Sequence, residues 1–143
     1  SCIASSMRNV GTHPKMHAVQ TEGCAPLARA WEHAKSSGGT RDAGKRWAEC
    51  MWPWETEPHS LADGILDDET YDWIGILDGM TDTGGSPVVA TEDAVVRAHQ
   101  MAHEFTNISV SPTGSAGLAG VLQIRDSIAN DERIVVVFSG VAR

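Results

Sequence analysis

Apolar and polar positions recur with two different periods along this chain, and the switches between them mark its elements. Residues 3–10 have mixed helical character, and Gly11-Thr12-His13-Pro14 ends that element in a turn. Over residues 15–21, Met16 and Ala18 fall on one face and His17 and Val19 on the other, the period of a short strand. Gly23-Cys24-Ala25-Pro26 opens a helix, with proline near the first turn where its missing N–H is harmless. Leu27, Ala30, Trp31 and Ala34 then recur at helical spacing until Ser36-Ser37-Gly38-Gly39. A second helix is expected over residues 41–50, before Trp52-Pro53-Trp54 and Pro58 impose an irregular stretch. Residues 69–80 form a third amphipathic run, with Trp73, Ile76, Leu77 and Met80 on one stripe.

Pro87-Val88-Val89-Ala90 reads as a brief strand, and Thr91 as the N-cap of a helix whose first turn carries Glu92 and Asp93, where the helix dipole favours acids. That helix continues through Val95, Ala98, Met101, Ala102 and Phe105. Ser111-Pro112 repeats the signature ahead of a closely packing helix with Ala116, Leu118, Val121, Leu122, Ile124 and Ile128. Residues 133–138 (RIVVVF) are almost wholly apolar and β-branched, which is how a parallel strand buried on both faces reads. Strands alternating with helices predict an α/β fold with an open, mostly parallel sheet and flanking helices. In such sheets ligands bind beyond the carboxyl ends of the strands, which singles out Ser139-Gly140 after the last strand-like run.

Composition narrows the function classes. A length of 143 residues predicts one hydrophobic core, and 41% hydrophobic with 21% charged residues is globular usage. The net charge is −8, and the 11 Lys and Arg are scattered apart from Arg41, Lys45 and Arg46, so nucleic acid is excluded as an expected partner. The longest apolar runs are far below the roughly 20 residues that span a bilayer. No basic-then-apolar leader pattern opens the chain, and a cytoplasmic location without a membrane partner is expected. Cys2, Cys24 and Cys50 form an odd set without C-x-x-C spacing, which fits reduced thiols better than disulfides or a zinc site.

Several constellations carry little. His99-x-x-x-His103 puts two imidazoles on one helical face but lacks the intervening glutamate of zinc hydrolases and a marked third ligand. The acidic run Asp67-Asp68-Glu69 with Asp72 does not follow a calcium-loop pattern. Gly84-Gly85-Ser86 before Pro87 reads as a turn, the tryptophans of residues 47–54 as packing beneath a loop, and no serine sits in a G-x-S-x-G turn.

Four ordered segments are more specific in combination. Residues 13–27 (HPKMHAVQTEGCAPL) resemble the "P-x-x-x-A-V-Q-x-E-G-x-x-P-L" segment of threonine synthases and their relatives. Ser60-Leu61-Ala62-Asp63-Gly64-Ile65 resembles the "T-I-A-x-G-I" segment beside the cofactor. Residues 111–120 (SPTGSAGLAG) resemble the "E-P-x-x-A-A-x-L-A-G" helix, and residues 134–140 (IVVVFSG) the final "V-V-V-L-T-G". The resemblance is to pyridoxal-phosphate enzymes of fold type II, the tryptophan synthase beta-like family. It implies that pyridoxal phosphate is the cofactor and that Ser139 stands where a hydroxyl hydrogen-bonds the pyridine nitrogen. Gly140 then lets the backbone pass close to the ring, and Ala62 and Gly64 form part of the wall. A hydroxyl donates to that nitrogen without protonating it as a carboxylic acid would, which suits elimination and replacement at the β or γ carbon.

The departures are equally informative. The family's Schiff-base lysine lies in its N-terminal half, and Lys15, Lys35 and Lys45 stand in no motif resembling the lysine segment, so no catalytic residue is assigned. Ser111 replaces a frequent glutamate, and Ser139 replaces threonine. Some relatives hold a metal through a carboxylate near position 20, where Gln20 is a poorer ligand for a hard cation, and no metal is carried over. With Ser1 as its first residue and a resemblance that begins mid-domain, the chain is expected to be the C-terminal part, residues 1–143, of one larger catalytic domain. The expected activity is that of a lyase or synthase acting on a small amino-acid substrate, threonine synthase first, in a full-length enzyme that forms a homo-oligomer. Threonine or serine dehydratases, cysteate synthases and diaminopropionate lyases share these segments. A stand-alone, non-catalytic α/β binding module is the alternative of another class.

Overall fold

The computed structural model describes residues 14–141 of the chain. The expected helix over residues 3–10 lies outside the described residues. Two short strands, β1 (Ala18–Thr21) and β2 (Pro87–Ala90), pair in parallel with Val19 opposite Val88 and Thr21 opposite Ala90. Parallel neighbours need a long crossover, and here it holds α1 (Pro26–Ser36), a 3-10 turn (Ala43–Arg46), α2 (Trp47–Cys50), a second 3-10 turn (Asp63–Ile65) and α3 (Trp73–Thr83). After β2 follow α4 (Glu92–Thr106), α5 (Pro112–Ile124) and a last 3-10 turn (Arg125–Ser127).

Successive side chains of a strand point to opposite faces, and β1 obeys this by dividing the core. Ala18 packs with Leu27, Ala30, Trp31 and Ala34 of α1, Cys50 and Met51, and Trp73, Leu77 and Met80 of α3. Val19 packs on the other side with Ala62, Ala90, Val95, Ala98, Ala116 and Ala119. Helices therefore cover both faces of a parallel pair, and the chain has the α/β class with flanking helices that its periodicity predicts. Trp73, met edge-on by Trp47 with ring centroids 5.3 Å apart, is the largest fully buried side chain of the first cluster. Truncating such a residue to alanine costs about 3–5 kcal/mol.

The second cluster is built from small side chains, so its elements approach closely. A Cβ on Gly120 would overlap Val19 Cγ2 and stand 3.2 Å from Cγ1, which makes glycine the residue that lets α5 lie on β1. Both expected caps form. Thr91 Oγ1 accepts from the Ala94 N–H at 3.3 Å, and Ser111 Oγ accepts from the Gly114 N–H at 3.0 Å with Pro112 next in the first turn.

Three sequence expectations differ from the fold. Residues 41–50 split into a 3-10 turn and a four-residue helix, because Arg46 turns its guanidinium back to the carbonyls of Ser37 (2.7 Å) and Gly39 (3.0 Å) at the end of α1. The amphipathic run expected from residue 69 begins its helix only at Trp73, the first residue of the buried stripe. Residues 133–138 are not a buried strand: no strand partner pairs with them among the described residues, and Val135 is 86% exposed. An apolar, β-branched run states which surroundings it would accept, whereas a ladder needs a neighbour at hydrogen-bond distance.

Candidate functional site

The first turn of α5 gathers three of the four residues singled out from the sequence. Its N-cap residue, Ser111, donates its backbone N–H to the Gly140 carbonyl at 3.0 Å, and the Ser139 N–H donates to the Gly114 carbonyl at 3.3 Å. Residues 139–140 are thus fixed by two backbone bonds to the start of a helix, not by the end of a strand as the periodicity predicts. The contact is tight. A Cβ on Gly114 would overlap the Gly140 carbonyl oxygen and stand 2.6 Å from its nitrogen, so only glycine permits this approach. The Ser139 side chain itself is exposed, and its hydroxyl has no hydrogen-bond partner among the described residues.

From the other side, the turn at residues 62–65 reaches the same place. Thr113 Oγ1 accepts from the Gly64 N–H at 3.0 Å and donates to Asp63 Oδ1 at 3.4 Å. Gly64 is exposed beside α5, whereas Ala62 has no exposed surface and packs in the second core cluster. Ala62 therefore faces the core, not the solvent.

The segment leading to Ala62 is tied down by a carboxylate. Glu92, in the first turn of α4, accepts from the Ser60 hydroxyl at 2.8 Å and from the Leu61 N–H at 2.6 Å, while its own N–H donates to Glu22 Oε1 at 2.9 Å. None of Ser60, Thr113, Glu22 and Glu92 stands out as a site residue in the sequence. The acid-rich first turn is a usual helix feature, and the partners lie 31 to 70 positions away.

Elsewhere, side chains that invite chemistry have internal partners. Gln20 accepts from the Ala28 N–H at 3.0 Å and donates to Thr70 Oγ1 at 3.3 Å, serving as a cap for α1. The His103 Nε2–H donates to the Val110 carbonyl at 2.8 Å, and its ring meets His99 edge-on at 4.6 Å. Burial and the neighbouring His103 push the His99 imidazole below its ordinary range. No group of three or more His, Cys, Asp or Glu able to hold a metal occurs among the described residues. The Cys24 thiol donates to the Asp67 carbonyl at 3.3 Å and is raised by burial first and then by Asp68 and Asp67. Lys35 and Lys45 pair with Glu32 (3.7 Å) and Asp42 (2.8 Å), and Lys15 is exposed ahead of β1.

A family model for pyridoxal-phosphate dependent enzymes matches residues 1–140. The chain belongs to this family. Among solved structures it is similar to maize serine racemase, with a TM-score of 0.58 and 21% identity over 84% of this chain and 32% of that one. It is also similar to the T.th. threonine deaminase (0.51, 19%, 89% of this chain and 46% of that one) and to the serine racemase of Dictyostelium discoideum (0.53, 16%, 94% and 46%). These likenesses show a shared fold. The chain spans between a third and a half of the length of those proteins. No curated protein matches it. Membership makes pyridoxal phosphate the family cofactor, and the Ser139 hydroxyl beside α5 fits the group: it faces solvent without a partner among the described residues, on a backbone fixed by glycine contacts. Among the described residues no helix is long and apolar enough to cross a membrane.

Proposed function

We propose that this chain supplies the C-terminal part of the cofactor domain of a pyridoxal-phosphate-dependent lyase or synthase, acting on a small amino acid by elimination or replacement. The observation that carries this reading is the placement of Ser139. Its hydroxyl is exposed while its backbone is bonded to the α5 cap. Bound pyridoxal phosphate supplies an electron sink for a carbanion next to the amino group. The residues present here would do three things. Ser139 would donate a hydrogen bond to the ring nitrogen and leave it unprotonated. Gly140 would keep the space beside the ring open. Gly64, held by Thr113, would form the facing wall.

Threonine synthase is the first reading, supported by residues 13–27. Ser111 and Ser139 depart from the pattern of that family and leave the particular reaction open, with a threonine or serine dehydratase as the second reading. The lysine that anchors the cofactor would come from an N-terminal half of the same polypeptide or from a partner chain, and the whole enzyme would be a cytoplasmic homo-oligomer. The test is to purify the full-length protein that carries this chain, load it with pyridoxal phosphate, and assay two reactions. Threonine formation from phosphorylated homoserine supports the first reading, and 2-oxo acid formation from threonine or serine supports the second. A protein that binds no pyridoxal phosphate would refute both.

A further inference from the structure

We propose that Glu92 is a positioning residue for the cofactor wall, an inference that rests on the reading above. One carboxylate holds the first two residues of the segment that leads into the wall: Oε2 takes the Ser60 hydroxyl at 2.8 Å and Oε1 takes the Leu61 N–H at 2.6 Å. The Ser60 hydroxyl in turn accepts from the Ala62 N–H at 3.1 Å, which carries the constraint one residue further. Beyond Ala62 the chain is held again, by Thr113 on Gly64 and Asp63. The five residues 60–64 are therefore clamped at one end by α4 and at the other by α5, and the α5 clamp is the turn that carries Ser139. With both ends fixed, the turn has one position relative to Ser139. Releasing the Glu92 end leaves Gly64 on a single hydrogen bond to a threonine.

Glu92 is itself well founded. It sits in the first turn of the 15-residue α4 behind the Thr91 cap, and its N–H is tied to Glu22 just after β1. Hydrogen bonds to a charged acceptor are the stronger kind, and here both ligands are donors that would otherwise compete for water. The carboxylate does not reach the Ser139 side, so its action on the cofactor would run through the turn alone.

The experiment uses the full-length protein with Glu92→Ala, Glu92→Gln and Ser60→Ala, and reads three quantities. Amide exchange at Leu61–Gly64 in the cofactor-free protein should rise on the order of tenfold in Glu92→Ala, less in the other two, with β1 amides unchanged. The visible circular dichroism of bound pyridoxal phosphate should shift in the same rank order, and its dissociation constant should rise. Glu92→Gln keeps an acceptor for Leu61 and gives a measurable protein if Glu92→Ala folds poorly. Faster exchange with an unchanged cofactor spectrum and affinity would reduce Glu92 to a structural cap and overturn the proposal. Unchanged exchange would overturn it too. A wild-type protein that binds no cofactor would instead overturn the functional reading on which it rests.

Discussion

Gly114→Ala sets two large effects against each other, and the structure decides the sign. Within a helix interior, alanine is favoured over glycine by about 1 kcal/mol. Gly114 lies in the first turn of α5, and its added Cβ would meet backbone atoms of Gly140, with the nitrogen at 2.6 Å, and Val110 Cγ2 at 2.7 Å. Backbone cannot escape by changing rotamer, so residues 139–140 must move. Overpacking of this kind costs roughly 1–3 kcal/mol. Movement also weakens the Ser111 N–H to Gly140 and Ser139 N–H to Gly114 bonds, each worth about 1 kcal/mol. After subtracting the propensity gain, the expected loss is about 2 kcal/mol, or roughly 4–8 °C in melting temperature for a chain of this size. Gly117→Ala is the internal control. Its nearest neighbour is the side-chain atom Val136 Cγ1 at 3.3 Å, which can give way, so the propensity gain should survive. Thermal melts and urea midpoints of the two variants, measured side by side, make the comparison. If Gly114→Ala melts at or above Gly117→Ala, the close approach of residue 140 to α5 is not real, and Ser139 loses its placement.

Three further outcomes are expected. Because the folded His99 imidazole is harder to protonate than an unfolded one, the unfolded state binds more protons between the lowered folded pKa and about 6.5. Stability should be level above about pH 7 and fall as pH drops through 6.5; His99→Gln should lose less between pH 8 and pH 5.5 in urea titrations, and equal losses would refute the assignment. Cys24, buried and held above its ordinary range, should resist a thiol reagent at pH 8 until the protein unfolds; modification of the native protein at the rate of the denatured one would contradict the burial. In the loaded full-length enzyme, Ser139→Ala should keep its cofactor but turn over roughly tenfold to a hundredfold more slowly, the loss of one hydrogen bond worth on the order of 1–3 kcal/mol. Unchanged kinetics would remove Ser139 from the site.

The parts of this fold legible in the sequence are those fixed by neighbouring residues. Thr91 and Ser111 cap their helices as written, Pro26 and Pro112 stand in first turns, and Ala18 and Val19 part to the two faces of β1. What is not legible depends on distant partners. Nothing near Glu92 announces that it binds residues 60–61, and nothing in "S-L-A-D-G-I" tells that Ala62 faces the core while Gly64 faces out. Residues 133–138 show the opposite failure. Their composition asks for neighbours on both faces, whereas among the described residues no strand pairs with them and Val136 lies against Gly117 of α5. The periodicity leads to Ser139 through that strand, whereas the fold leads to it through α5.

The anchoring of residues 139–140 to the cap of α5 separates position from path. Since Ser111 and Gly114 hold them by backbone bonds, their location does not depend on the length or pairing of the stretch between the end of α5 and residue 138. Exchanges along that stretch should therefore leave residues 139–140 in place, except at Val136, which lies against Gly117. The position of the Ser139 hydroxyl is in this way insulated from change in the exposed stretch that leads to it.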